Sequence, residues 1–446
     1  MMETPGRQRI AVVGSGIAGL GAAYFLSRRH QVTLFEADTR PGGHTNTMEA
    51  DFGDRQITVD TGFIVFNPLN YPNLCALFSE LGVASEKSEM SFGVSVGGGR
   101  LEWAGSNLAT LFAQPANLLR PRFHGMWRDI LRFNREAPAA LATGHLGESS
   151  LGDYLAAGGY GEAFILDYLL PMGAAIWSAP MAEMLRFPAR SFVRFFVNHG
   201  LLQVNDRPQW RTVSGGARSY VRRLLRQGDI DLRLGCRVVE LAREETGVTL
   251  YAAGTQPERF DHVVLATHAD QSLRLLGDPT RGEAELLGAF RFEKNLAWLH
   301  RDARLMPKRR RVWSSWNYLT EDRRDLERKV AVTYWMNRLQ NLDPACPLFV
   351  TLNPLAEPEA ALTFARIGYE HPLFDEGAIR AQAALGEIQG TRRTWFCGAW
   401  TRHGFHEDGL VSAIRVARSL GAPPDFATDV APYESIEPPI TLRAAE

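Results

Sequence analysis

The sequence predicts an α/β protein in which a Rossmann-like nucleotide domain is interleaved with an α+β domain. Three observations carry this reading. The chain opens with a strand, a glycine turn, a helix and a second strand; glycine turns near residues 215 and 398 return to that pattern; and the stretches between turn first helical and then β-rich. With 446 residues, 45% hydrophobic and 22% charged, the chain suits two or three globular domains. Lys plus Arg number 49 against 50 Asp plus Glu, so bulk charge selects no nucleic-acid or membrane partner, and any such affinity must come from a local patch.

Ile10–Val13 is a short buried-strand run, and Gly14, Gly16 and Gly19 follow it as G-x-G-x-x-G. Gly14 permits the tight turn, Gly16 lets backbone approach a pyrophosphate, and Gly19 lets the helix pack on the strand. Ile17 and Ala18 begin that helix, whose N–H groups are oriented toward phosphate. Gln31–Phe35 is the next strand and ends at Glu36-Ala37. Glu36, 22 residues beyond Gly14, suits the ribose hydroxyls of adenosine and opposes the 2′-phosphate of NADP. A plain NAD site has no need of the loop Gly42-Gly43-His44-Thr45 that follows, whereas a further phosphate or ribityl contact does, which favours FAD.

Farther along, Asp60–Phe66 reads as a strand or loop, Tyr71–Leu81 as an amphipathic helix and Phe92–Trp103 as a hairpin. Residues 118–202 have helical periodicity broken by prolines and glycines. Ser214–Ala217 is a second glycine turn, His262–Ala266 a buried strand, and Arg311–Tyr318 with Val330–Met336 suit an antiparallel sheet walling a cavity. A last strand enters Cys397-Gly398, and a helix follows Gly404–Gly409. The expected division is 1–85, 205–270 and 390–425 for the nucleotide domain, 86–204 and 271–389 for the second domain, and 426–446 for a tail.

On these motifs the chain resembles the FAD-dependent amine-oxidase and phytoene-desaturase superfamily, whose Gly-Gly-Arg loop has His44 in place of its Arg here. The resemblance implies an amine oxidase-type two-domain flavoprotein with non-covalent FAD. It implies that backbone at Val238 meets the adenine, that Ala266 lies beside the dinucleotide, that Gly398 approaches the ribityl-phosphate, and that the helix near Gly409-Leu410 aims its positive end at the isoalloxazine. Ala399 stands where many relatives carry an acid. Ser191–Gln203, Arg207–Val213, Gly43–Thr45, Asp60–Phe63 and Gly404–Gly409 are similar to bacterial flavoproteins related to the oxidase-like half of plant cyclopropane fatty-acid synthases and to acyl desaturases of the furan fatty-acid route.

That closer resemblance implies desaturation of a methyl-branched fatty acyl chain of a membrane phospholipid by hydride transfer to flavin, with a lipid methyltransferase as partner. A flavin amine or amino-acid oxidase, and an FAD-stabilised non-catalytic partner of such a methyltransferase, are the alternatives. His406 and Glu407, near the inferred flavin end, are the candidate catalytic bases. Phe195, Phe196, Trp313 and Trp335 are candidate walls of a substrate tunnel.

Cys75, Cys236, Cys346 and Cys397 form no C-x-x-C pair, so no metal site or disulfide framework is expected, and the pattern suits a reducing compartment. The N-terminus has no signal-peptide core, and the longest apolar run, near Tyr168–Trp177, is far below the roughly 20 residues needed to span a bilayer. The expected location is the cytoplasm, at the inner face of the cell membrane where contact is made. Arg120, Arg122, Arg128, Arg132 and Arg135 interleave with Phe123, Trp127, Ile130 and Phe133, a pattern suited to peripheral contact with an anionic interface through those aromatic and aliphatic side chains. No recognition fold accompanies these arginines, so nucleic acid is not an expected partner.

Overall fold

The computed structural model describes residues 6–177, 179–203, 208–322, 326 and 328–427; Arg207 and the tail from residue 428 lie outside the described residues. The first sheet has five parallel strands in the order Thr394–Phe396, His262–Leu265, Arg9–Val13, Gln31–Phe35, Ile230–Arg233. Arg9–Val13 lies at its centre, with residues 10–13 buried, which is why its apolar run is continuous rather than alternating.

The helix Ile17–Ser27 is buried along its whole length and packs against the helix His406–Ser419. Small residues permit that approach. A Cβ on Gly21 would lie 3.0 Å from Leu410 Cδ1, and one on Gly409 would lie 2.8 Å from Ile17 Cγ2. The helix that opens beside the glycine turn is thereby fixed by the last helix of the fold, although nearly 400 residues of sequence separate them.

The second sheet has seven strands, and its hairpin Phe92–Val96/Leu101–Ala104 pairs with Trp316–Thr320, 220 residues later. The remaining order is Val330–Trp335, Phe349–Leu352, Arg291–His300 and Thr363–Leu373. Helices including Pro121–Thr143, Leu170–Trp177 and Ala189–Asn198 share an apolar core with this sheet. The segment 270–390 also contains the helices Ala269–Leu275, Arg281–Gly288 and Glu376–Ala384, which its β-rich patches do not announce. Thr47–Asp51 and Gln56–Asp60 form an antiparallel pair between the first βαβ unit and the helix Pro72–Leu81.

Candidate functional site

One cavity of about 1720 Å³ runs from the first sheet into the second core. Its first half is lined by Gly14, Gly16, Ile17, Ala18, Glu36, Ala37, Gly43, His44, Val238, Ala266 and Gly398. Gly14, Glu36, Ala266 and Gly398 stand just beyond the C-terminal ends of parallel strands, the place where open α/β sheets take ligands. Gly14 has φ +97°, and a Cβ there would meet the Ala266 carbonyl oxygen at 2.9 Å. A Cβ on Gly19 would be 1.8 Å from the Gly14 carbonyl oxygen, so Gly19 keeps helix on strand and does not itself line the cavity. Over Gly16, by contrast, nothing lies within 4 Å of a Cβ position. The backbone is open there, as close approach of a phosphate requires.

The Glu36 carboxylate accepts from the Ser15 N–H at 2.8 Å and the Ser15 hydroxyl at 2.6 Å, and its other oxygen accepts from the Asp38 N–H at 2.8 Å. These bonds fix the acid on the cavity wall beside the glycine turn. His44 is half-buried, its ring 4.8 Å from Tyr369 and 5.2 Å from His371, and its buried Nε2 has no protein partner. Burial, with the neighbouring His371, His268 and His406 rings and Arg40 acting in the same direction, holds its pKa well below the usual histidine value, so it enters as a neutral imidazole where the resembling family carries a permanent cation. The guanidinium groups on the wall are those of Arg237 and Arg274.

Three other expected contacts lie behind the wall rather than on it. Gly42, with φ +119°, donates its N–H to the Ser15 carbonyl and shapes the loop. Thr45 is buried, its hydroxyl 2.5 Å from the Tyr220 hydroxyl and 3.1 Å from His406 Nε2. Leu410 is fully buried against Gly21, because the side of the last helix it occupies faces the first helix. Cys397 is likewise buried off the cavity, and burial pushes its thiol pKa up, which removes it as a thiolate nucleophile.

The two candidate bases separate. Glu407 does not line the cavity: its carboxylate accepts from the N–H groups of Asn73 and Leu74 and from Asn73 Nδ2 at 2.8–2.9 Å, and so caps the helix Pro72–Leu81. That helix has no side-chain cap of its own, and the remote acid satisfies donors its first turn would otherwise leave bare. Glu407 is therefore a structural residue and not a base. His406 does line the cavity but stacks on Phe63 at 3.8 Å, with Nε2 2.9 Å from the Tyr220 hydroxyl. Burial lowers its pKa to about 3, and the Tyr220 and Thr45 hydroxyls both meet its Nε2.

His199, like His44, has a ring nitrogen to spare. Its Nδ1 is 2.9 Å from the Phe195 carbonyl, which accepts only, so in the neutral ring Nδ1 carries the hydrogen and Nε2 the lone pair. It stacks on Phe195 at 3.8 Å and lines the cavity beside Phe405. Burial brings its pKa to about 4, countered by the Phe195 carbonyl and by Asp408. A histidine at the C-terminal end of an aromatic helix carries no local signature, so sequence reading leaves it among structural side chains.

The second half of the cavity is apolar. Met90, Phe92, Trp103, Trp127, Tyr168, Met172, Ile176 and Phe195 contribute to its wall, with Trp316, Tyr334 and Leu352 from the sheet. Of the four expected tunnel residues only Phe195 takes part. Phe196 is fully buried in the helical core, and Trp335 points to the opposite side of its strand from Tyr334, since successive strand residues face opposite ways. Trp313 packs edge-on to Trp335 and donates its indole N–H to the Pro307 carbonyl.

Fold and cavity together define a dinucleotide-binding flavoprotein with a deep apolar annex. Residues 17–294 match the family described as flavin containing amine oxidoreductase, and the chain belongs to that family: it is an FAD-dependent oxidoreductase. A stretch of 48 residues, 10% of the chain, is 52% identical to the L-amino-acid oxidase of Pseudechis australis and spans 9% of that enzyme. A 45-residue stretch, 9% of the chain, is 44% identical to coproporphyrinogen III oxidase of Staphylococcus aureus and spans 10% of it. Over the whole fold the chain is similar to a CLA-producing fatty acid isomerase from P. acnes, with TM-score 0.64 and 15% identity over 92% of this chain and 98% of that one. Cyclohexylamine oxidase from Brevibacterium oxydans gives TM-score 0.63 and 16% identity over 93% and 99%.

Proposed function

We propose that the protein desaturates a fatty acyl chain, carried by a lipid, through hydride removal to FAD. The observation that carries this reading is the apolar second half of the cavity. Its wall is built mainly from aromatic, leucine, isoleucine and methionine side chains, with Ser88, Ser91 and Asn134 among them; of its two carboxylates Glu89 is paired with Arg338 Nε at 2.6 Å and Glu370 lies 3.4 Å from His268 Nδ1, a ring whose pKa burial lowers. A cationic amine would find one carboxylate paired with an arginine and one beside a histidine, whereas a long methylene chain would exchange water for dispersion contacts along most of the wall. The likeness of the fold to a fatty acid isomerase is consistent with that substrate class but shows the fold alone.

On this reading the glycine turn and the N-terminus of the helix Ile17–Ser27 hold the pyrophosphate, Glu36 the adenosine ribose, and His44 Nε2 donates or accepts along the ribityl-phosphate side. When bound, FAD supplies the two-electron acceptor for a hydride. The protein's share is geometry and proton handling. The apolar wall excludes water and aligns two neighbouring carbons, and His199 Nε2 takes up the proton that leaves the second carbon as the double bond forms. His406 holds Thr45 and Tyr220 behind the loop and stays neutral.

Anaerobic mixing of the holoprotein with detergent-dispersed phospholipid or free fatty acid should bleach the flavin, and the acyl product should carry one more double bond. Bleaching by putrescine or amino acids, with lipids inert, would replace this reading with the amine-oxidase one. His199→Gln should slow bleaching at saturating substrate by about 100-fold with little change in half-saturation. An unaltered rate would remove His199 from the chemistry.

A further inference from the structure

At one of the edges where the cavity wall reaches the protein surface, Ser106, Asn107, Leu108 and Leu131 are both wall residues and exposed. Leu108 is 75% and Leu131 56% exposed. The turn between the segments that carry them adds Leu118 at 54% and Leu119 at 87%. Four of the nine large exposed apolar side chains among the described residues therefore cluster within 24 positions of sequence. The segments that carry them pack together: Phe112 packs on Phe123 at a ring distance of 6.0 Å, and the His124 ring meets the Leu118 carbonyl at 2.8 Å. Exposed leucines scattered singly need no explanation, but a cluster on the rim of an apolar cavity does.

The charge around that rim is predominantly basic. Residues 106–135 contain five arginines and one acid, Asp129, which is buried and accepts from the Gly161 N–H. Arg128 and Arg135 are 81% and 78% exposed, Arg135 donating to Glu136 at 3.2 Å across the surface, and Arg120 spends one nitrogen on the Arg100 carbonyl. Arg122 and Arg132 are tied down by Glu162 and Asp167 and by the Tyr160 ring, and do not count toward an outward field. The apolar residues first expected to enter a membrane are not available for it. Phe123, Ile130 and Phe133 are buried in the core, because the stripe they form is the inner face of the helix Pro121–Thr143, and Trp127 lines the cavity.

We propose that this rim is a bilayer-docking surface, with Leu108, Leu118, Leu119 and Leu131 inserting into an anionic membrane, the exposed arginines at its headgroups, and the cavity mouth opening into the acyl layer. The inference rests on the lipid reading of the same cavity. It commits to a membrane rather than an acidic acyl-carrier protein because leucines, not charges, occupy the part of the rim nearest the mouth; a carrier would meet the arginines and leave four leucines in water. Docking in this position lets an acyl chain pass from bilayer to cavity without crossing water, which a chain esterified to a phospholipid could not otherwise do at a useful rate.

The test uses the full chain with bound FAD and two variants, Leu118→Glu/Leu119→Glu and Arg128→Glu/Arg135→Glu, none of whose sites lines the cavity. Wild-type protein should float with phosphatidylglycerol-containing vesicles, less at high salt and little with pure phosphatidylcholine. The leucine variant should partition at least about 10-fold more weakly at any salt, and the arginine variant should lose the dependence on anionic lipid. Both should reduce flavin normally with detergent-dispersed substrate and fail with vesicle-borne substrate. Wild-type protein that does not float, or a leucine variant that floats as well as wild type, overturns the docking surface. If that protein is nonetheless reduced by dispersed lipid, the desaturase reading stands and a carrier protein is the occupant. If wild type floats and no lipid reduces its flavin, the surface stands and the desaturase reading falls.

Discussion

The two halves of the cavity are built by different means. The nucleotide half is assembled from short segments at strand ends, and each residue there answers to a local constraint: a positive φ at Gly14, a sub-van-der-Waals approach at Gly19, a carboxylate bonded to Ser15 and Asp38. The apolar half is assembled from the inward faces of a seven-stranded sheet and several helices, and its residues answer to packing alone. A half made of backbone constraints tolerates little change and carries a readable motif. A half made of side-chain surface tolerates exchange, and that is where substrate choice resides.

The contrast predicts that the largest loss comes from the first half. Glu36→Arg removes the acceptor of both Ser15 bonds and places a cation where Ser15 and Asp38 present N–H donors. FAD retention through gel filtration should fall by at least about 100-fold, given that a buried polar site left unpaired costs several kcal/mol. Far-ultraviolet dichroism should be preserved, since Glu36 lies beyond its strand. Full flavin occupancy in this variant would mean that the acid serves the loop and not the cofactor.

Filling the second half should act on substrate and leave cofactor alone. Met172 lines the apolar wall from a helix, and Met172→Trp should shorten the acyl chain accepted, cutting turnover of long chains about 10-fold or more while flavin content stays at the wild-type level. Loss of flavin with loss of long-chain turnover would show that the halves are not separable.

The same contrast explains what could be read without the structure. Glycines at 14, 16 and 19, the acid at 36 and the loop 42–45 lie within one βαβ unit, so their spacing is itself the evidence. The widely separated Ala266 and Gly398 were legible because each ends a short apolar strand. The apolar wall was not. Trp335 and Tyr334 have the same chemistry and adjacent positions, and only the pleat decides that Tyr334 faces the cavity. Glu407 looked catalytic because it follows His406, but the helix beginning there turns by about 100° per residue and sends the acid to another helix's N-terminus. The inner and outer faces of residues 121–143 were likewise a matter of which stripe met the core.

Acid should weaken the whole molecule before it reaches the carboxylates. His199, His300 and His371 have pKa values lowered to about 4 and His406 to about 3, in each case chiefly by burial. Each is neutral when folded and takes up a proton near 6.5 when unfolded, so the unfolded state binds more protons between the two values. Their contribution to stability is fully present above pH 6.5 and is lost as pH falls toward 4 and below. The slope approaches roughly 1.4 kcal/mol per pH unit for each histidine. Urea midpoints should therefore fall steeply between pH 6.5 and 5, and His371→Asn should flatten that slope by up to one proton. A midpoint independent of pH in this window would show that these rings are solvated.

The smallest expected effect separates His199 from Glu407, the residue that sequence proximity to the flavin end had recommended. Glu407→Gln keeps one carbonyl oxygen to accept from the start of the helix Pro72–Leu81 but turns the other acceptor into a donor facing N–H groups. Losing part of a helix cap costs about 1 kcal/mol. The attraction of a carboxylate to the helix dipole disappears with the charge, adding a few tenths more. Burial already raises the Glu407 pKa, so part of this cost is offset by no longer holding a charge in a desolvated place. The net outcome is a melting temperature lower by a few degrees at most, with flavin content, the rate of flavin reduction and its pH profile all unchanged. A Glu407→Gln protein that is stable but reduced 100-fold more slowly would return the acid to the chemistry and make His199 the packing residue.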